Sequence, residues 1–89
     1  MYGPTFVEYL GSALLIGTYA FLGNHIFVVA ALALAIGLGG KISGGHFNPA
    51  ITAWALAAGK ISQSKAIMYI LAQLVAALTV WMVYSVVTV

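Results

Sequence analysis

The sequence has no cysteine, no arginine and no aspartate, and charged residues fill only 4% of its 89 positions. Without cysteine there can be no disulfide, no thiolate metal site and no thiol nucleophile. Lys41, Lys60 and Lys65 set against Glu8 leave a net charge of +2, far too little for a nucleic-acid surface. The remaining residues supply no acid/base pair, no nucleophile beside a base and no phosphate loop, so nothing supports an enzyme, and no cofactor or metal is expected. His46 has no carboxylate neighbours in sequence and reads as a satisfied structural histidine. His25 reads as a turn residue. A signal peptide is not expected, because Met1-Tyr2-Gly3-Pro4 carries no basic region and long apolar stretches recur three times.

What is abundant is apolar: 64% of the residues are hydrophobic. An ordinary soluble domain is roughly a quarter charged, so this chain lacks the polar side chains to cover a water-facing surface. Its medium is expected to be the lipid bilayer. Residues 5–22 form an apolar stretch of roughly 27 Å as a helix, close to the ~30 Å hydrocarbon core. Residues 26–40 give about 22 Å, short for a span unless neighbouring residues or a thinner bilayer help. Residues 65–89 give about 37 Å, enough to cross with tilt.

Between the second and third spans, residues 42–59 change from apolar helix to a glycine-rich turn, then Asn48-Pro49, then an apolar run from Pro49 to Ala58. That run covers only about 15 Å before Gly59-Lys60 closes it, which describes a re-entrant half-helix. Non-helical backbone at membrane depth survives only where protein buries it or where it lines a wet cavity. The fold class is therefore all-α, with three transmembrane helices and one half-helix in a single unit over residues 1–89. All three lysines fall on one side of such a membrane, and the positive-inside rule makes that side, and the N-terminus, cytoplasmic.

The loop has its own chemistry. Asn48 is a strong N-cap and Pro49 suits the first helical position. If the Asn48 carbonyl oxygen accepts from the backbone of Ala50 or Ile51, its two amide hydrogens are left as donors at mid-membrane. The half-helix adds roughly half a positive charge there, which disfavours cations and orients water. Gly44 and Gly45 permit backbone angles closed to other residues, so the carbonyls of Gly44, Gly45, His46 and Phe47 can line a path as acceptors.

These residues carry a specific resemblance. Ser43 to Thr52, SGGHFNPAIT, resembles the first Asn-Pro-Ala loop of the aquaporins and other major intrinsic proteins, with Glu8 placed like the family's first-helix glutamate and Ala72-Gln73 like its third-helix Ala-Gln. The resemblance covers the whole chain and implies one of two inverted repeats, each with three spans and a half-helix. It implies Asn48 as the lumen donor, Pro49 and Ala50 as the contact with a second loop, Gly44 to Phe47 as carbonyl liners and His46 as a loop brace. The family's second-helix filter position falls at Val28, where many water-selective members carry an aromatic; Phe27 stands next to it. By the same resemblance the assembly is a homotetramer.

Other polar and aromatic residues invite plainer readings. An acid within a span costs about 2.5–3.5 kcal/mol on insertion scales, so Glu8 is expected to brace the loop, with snorkelling to the inner interface as the alternative. Gln73 is expected to tie the third span to the loop. Tyr2, Trp81 and Tyr84 read as interfacial anchors and Trp54 as a packing residue. Gly11 and Gly17 can each admit close helix contact.

The function expected is a passive channel for water, glycerol or another small neutral solute, needing a second half that bears its own Asn-Pro-Ala. The alternative is a small oligomeric dual-topology transporter or a non-conducting membrane assembly subunit. Three lysines on one side oppose dual topology, and Val86-Val87-Thr88-Val89 is still apolar at the end. The chain is thus expected to be one part of a longer sequence.

Overall fold

In hydrocarbon every backbone N–H and C=O must find its partner within the protein, and a helix does this within one segment. The structure is a computed structural model that describes residues 2–88; Met1 and Val89, the expected end of the third span, lie outside them. The described chain forms α1 (Tyr2–Leu22), α2 (His25–Ser43), α3 (Pro49–Ala57) and α4 (Gln63–Val87), with no strand among the described residues. Helices α1, α2 and α4 are each long and apolar enough to cross a membrane.

Helix α2 is longer than its apolar core. It continues through Lys41, Ile42 and Ser43 to reach 19 residues, about 28 Å, which removes the shortfall of the 26–40 reading. Lys41 lies in its last turn, where a cation meets the negative end of the helix dipole. Gly44 then ends the helix at φ 94°, its N–H donating to the Gly40 carbonyl at 2.8 Å. Helix α3 has only nine residues, about 14 Å, and cannot cross. It is closed by N–H donation from Gly59 to Leu56 and from Lys60 to Ala55, at 3.0 and 2.9 Å, the paired bonds of a glycine C-cap. Ser62 starts α4 by accepting from the N–H of Lys65 at 3.1 Å.

Helix α1 is the centre of the bundle: α2 and α4 each pack on it, and α3 packs on α4. The contact faces are small. Ala31, Ala35 and Gly39 recur every fourth residue along the buried face of α2, and Ala66, Ala72 and Ala76 lie on that of α4. Lipid tails are as apolar as leucine, so helices in a bilayer gain by close backbone approach and van der Waals contact, which small residues permit. A Cβ on Gly39 would stand 2.5 Å from Cγ1 of Val7. The larger side chains, Leu10, Leu34 and Leu78 among them, face outward. A polar tie joins α1 to α4, where the Tyr9 hydroxyl donates to Oγ1 of Thr79 at 3.0 Å. Tyr2, Trp81 and Tyr84 are exposed towards the helix ends. Trp54, expected as a packing residue, is 62% exposed within this chain, where α3 packs on α4.

Candidate functional site

The loop beyond Gly44 has no ladder of its own, so the backbone donors of Gly45, His46 and Phe47 must be satisfied by side chains. Glu8 supplies most of this. Its carboxylate is fully buried and does not reach an interface, which removes the snorkelling alternative. Oε1 accepts from the Phe47 N–H at 2.7 Å and from Nε2 of Gln73 at 2.9 Å. Oε2 accepts from the Ser43 hydroxyl at 2.7 Å and from the His46 N–H at 3.1 Å. All four donors are neutral, and hydrogen bonds to an ionised acceptor are about twice as strong as neutral ones. The N-terminus of α3, which begins two residues beyond Phe47, adds favourable partial positive charge.

This cluster dictates where the loop carbonyls point. In a trans peptide the C=O lies antiparallel to the following N–H. The N–H groups of His46 and Phe47 turn in to Glu8, so the carbonyls of Gly45 and His46 turn away from it. The Gly45 N–H donates to the Ser43 hydroxyl at 3.2 Å, and the Gly44 carbonyl is turned away likewise. The conformation needs positive φ at three of four successive residues: Gly44 at 94°, Gly45 at 67° and, after His46, Phe47 at 53°. Glycine accepts such angles freely, whereas Phe47 holds one despite its Cβ. Its side chain explains the tolerance, since Phe47 is only 3% exposed and its ring is wedged against Gly11.

A second layer stands behind the first. The Thr52 hydroxyl accepts from Nε2 of Gln73 at 2.9 Å and lies 2.9 Å from Nδ1 of His46. The hydrogens are accounted for if Thr52 donates to Nδ1 and the His46 ring carries its proton on Nε2. The Tyr69 hydroxyl donates to the Ser43 carbonyl at 2.6 Å, and its ring meets His46 edge to face at 5.3 Å. Gln73 gives both Nε2 hydrogens away, and turning its amide round would set oxygen against the Glu8 carboxylate. Its Oε1 is therefore buried without a partner, as is the Ser12 hydroxyl, for which the structure offers no explanation.

Asn48 caps α3 through Oδ1, which accepts from the Ala50 N–H at 2.8 Å. The residue is exposed, and its Oδ1 is the atom engaged by the cap. Pro49 and Ala50 form the first turn of α3, with Ala50 exposed. Val28 is partly buried on α2, whereas Phe27 is 51% exposed; adjacent helical positions differ by about 100°, so the two cannot face the same way. Glu8, His46 and Gln73 thus converge on the loop, while Val28 and Phe27 stand away from it on α2. Among the described residues no group of three or more His, Asp or Glu side chains could hold a metal.

Sequence reasoning had not singled out Ser43, Thr52 or Tyr69 as members of this cluster. Two of them carried a signal. Thr52 lies one turn beyond Asn48, and Tyr69 one turn before Gln73, so each shares a helix face with a residue already singled out.

A three-span bundle with a capped half-helix re-entering beside a buried glutamate defines one repeat of an integral membrane channel fold. Residues 6–89 match the sequence profile of the major intrinsic protein family, and the chain belongs to that family. It is similar to the glycerol uptake facilitator protein-like 6 of Lactiplantibacillus plantarum, with 40% identity over 84 residues, covering 80% of this chain and 37% of that protein. It is also similar to the probable aquaporin TIP1-2 of Oryza sativa subsp. japonica, 41% identical over 58 residues, covering 65% of this chain and 23% of that one. The lens fiber major intrinsic protein of Gallus gallus is 42% identical over 62 residues, covering 70% and 24%. The chain therefore spans little more than a third of the first of these relatives and about a quarter of the others. No solved structure matches at comparable significance.

Proposed function

We propose that this chain forms one wall of a passive channel for water or a small neutral solute such as glycerol, completed by a second half that bears its own Asn-Pro-Ala loop. The observation that carries the reading is the division of the loop into two faces. Its N–H groups are consumed by Glu8 and Ser43, and the carbonyls of Gly44, Gly45 and His46 are turned the other way. With the exposed amide of Asn48 beside them, they make a row of acceptors ending at a donor. A single file of small hydroxylic molecules can exchange hydrogen bonds along such a row, and the positive end of α3 disfavours cations at its narrowest point. In this reading Pro49 and Ala50 meet the second loop, Val28 or Phe27 narrows the entrance, and the lysine-bearing end, with the N-terminus, faces the cytoplasm. A homotetramer is the assembly expected from the family.

Names among the relatives support both solute classes, a glycerol facilitator and aquaporins, so the solute is proposed only as small and neutral. A coupled transporter would need a titrating acid facing a substrate chamber. Glu8 is the sole acid in the sequence, and it is buried with four donors on it, which speaks for a brace.

The test is stopped-flow swelling and shrinking of proteoliposomes carrying the full-length protein that contains this repeat. Permeability to water or glycerol should exceed that of empty vesicles and fall at least about tenfold in Asn48→Asp, which replaces the midplane donor with an anion. Vesicles indistinguishable from empty ones for both solutes would overturn the reading.

A further inference from the structure

The ring of Phe47 sits in a slot whose walls are glycines. A Cβ built on Gly11 of α1 would stand 2.1 Å from Cε1, 2.5 Å from Cδ1 and 2.7 Å from Cζ of Phe47. A Cβ on Gly45, at the opposite edge, would lie 3.7 Å from Cε2, and one on Gly39 of α2 would lie 3.8 Å from Cζ. The ring belongs to the same residue whose N–H is bonded to Glu8 at 2.7 Å and whose backbone holds φ 53°. Side chain and backbone of Phe47 are thus both fixed, one by the glycine slot and the other by the carboxylate.

We infer that Gly11 is a positioning residue of the pore loop: by letting the Phe47 ring seat to full depth, it sets how far the carbonyls of Gly45 and His46 project on the open side. The inference rests on the channel reading and adds to it a determinant of aperture that touches no solute. A methyl at position 11, 2.1 Å from Cε1, must displace the ring by about 1.5 Å to restore ordinary contact. The edge away from Gly11 is backed by Gly45, whose N–H is itself tied to Ser43, so displacement is passed into the loop. An apolar groove of about 210 Å³, also lined by Val7, Leu10 and Leu38, lies beside the ring, which is carried on the Phe47 Cα. That Cα is anchored by the Phe47 N–H bond to Glu8. A loop shifted outward narrows the path, and a narrower path excludes the larger solute first.

The experiment measures water and glycerol permeability of the full-length protein in proteoliposomes, each normalised to the folded protein reconstituted. Gly11→Ala should lower glycerol permeability about tenfold and water about threefold or less, changing their ratio. Loss of folded protein alone scales both equally and leaves the ratio where it was. Phe47→Ala removes all three atoms that clash, so the double variant Gly11→Ala/Phe47→Ala should bring the ratio back to that of Phe47→Ala alone. Phe47→Ala introduces no clash, and by removing the stop it should shift the ratio towards glycerol. An unchanged ratio in Gly11→Ala overturns the inference, as does a double variant that keeps the ratio of Gly11→Ala. Should Gly11→Ala yield no folded protein, an unchanged ratio in Phe47→Ala overturns it. A wild-type protein permeable to neither solute sinks the channel reading instead. Hydrogen exchange of the His46 and Phe47 amides then decides: about tenfold faster in Gly11→Ala supports the slot, and no change removes it.

Discussion

Helices α2 and α3 start on the same local device and come to opposite ends. Each follows an asparagine in extended conformation, and in each the side-chain oxygen accepts from the N–H two residues on at 2.8 Å, Asn24 from Ile26 and Asn48 from Ala50. Helix α2 then runs for 19 residues, whereas α3 stops after nine. The cap chemistry does not distinguish them; what precedes each asparagine does. Asn24 follows a single exposed residue, Gly23, after the end of α1. Asn48 follows a loop whose N–H groups are taken by a buried carboxylate on α1, with Tyr69 and Gln73 of α4 holding the other side. A helix start is made by local residues, and its depth in the bundle is decided by distant ones.

That contrast can be broken at its distant part first. Glu8→Ala leaves the His46 and Phe47 N–H groups, the Ser43 hydroxyl and one Gln73 hydrogen without their acceptor, at about 1–3 kcal/mol for each group that stays buried. The largest effect expected in the molecule is therefore loss of folded protein or a fall in thermal stability of well over ten degrees, read as monodispersity and melting in detergent. A variant as stable as wild type would show that the carboxylate does not hold the loop.

Asn24→Ala and Asn48→Ala sharpen the comparison directly. Each removes an equivalent cap and should cost about 1 kcal/mol in stability. Only Asn48→Ala should also lower permeability, by about tenfold, because only that amide faces the proposed path. Equal permeability of the two variants would mean that the donor at Asn48 serves the helix alone.

Smallest is Tyr69→Phe, which removes the bond from the tyrosine hydroxyl to the Ser43 carbonyl and keeps the ring against His46. It should cost about 1 kcal/mol, and should raise amide exchange in the loop without affecting the α1–α2 link. A stability equal to wild type would show that water replaces the hydroxyl.

Much of this was legible from residue order, for reasons that differ by element. Hydrophobicity and length suffice to mark a span, because lipid demands internally satisfied helices whatever their neighbours are. Asn48-Pro49 and Gly59 mark the start and stop of α3 because caps are local. The end of helix α2 was read three residues short, because Lys41 and Ser43 look like the end of an apolar stretch although they continue the helix to Gly44. The role of the Phe47 side chain was invisible: nothing in the spacing of Gly11 and Phe47, on α1 and in the loop, says that a ring will meet a missing Cβ.

By itself the sequence determined the medium, the number of spans, the half-helix and the cap at Asn48, since each follows from composition or from residues within one turn of each other. Only the tertiary structure decided that the loop turns its N–H groups inward and its carbonyls outward. That choice depends on a carboxylate 38 and 39 residues away in sequence, brought beside the loop by the packing of α1. The same packing decided the depth of the Phe47 ring, because a glycine contributes to a slot only where another helix has come close enough to use the space it leaves.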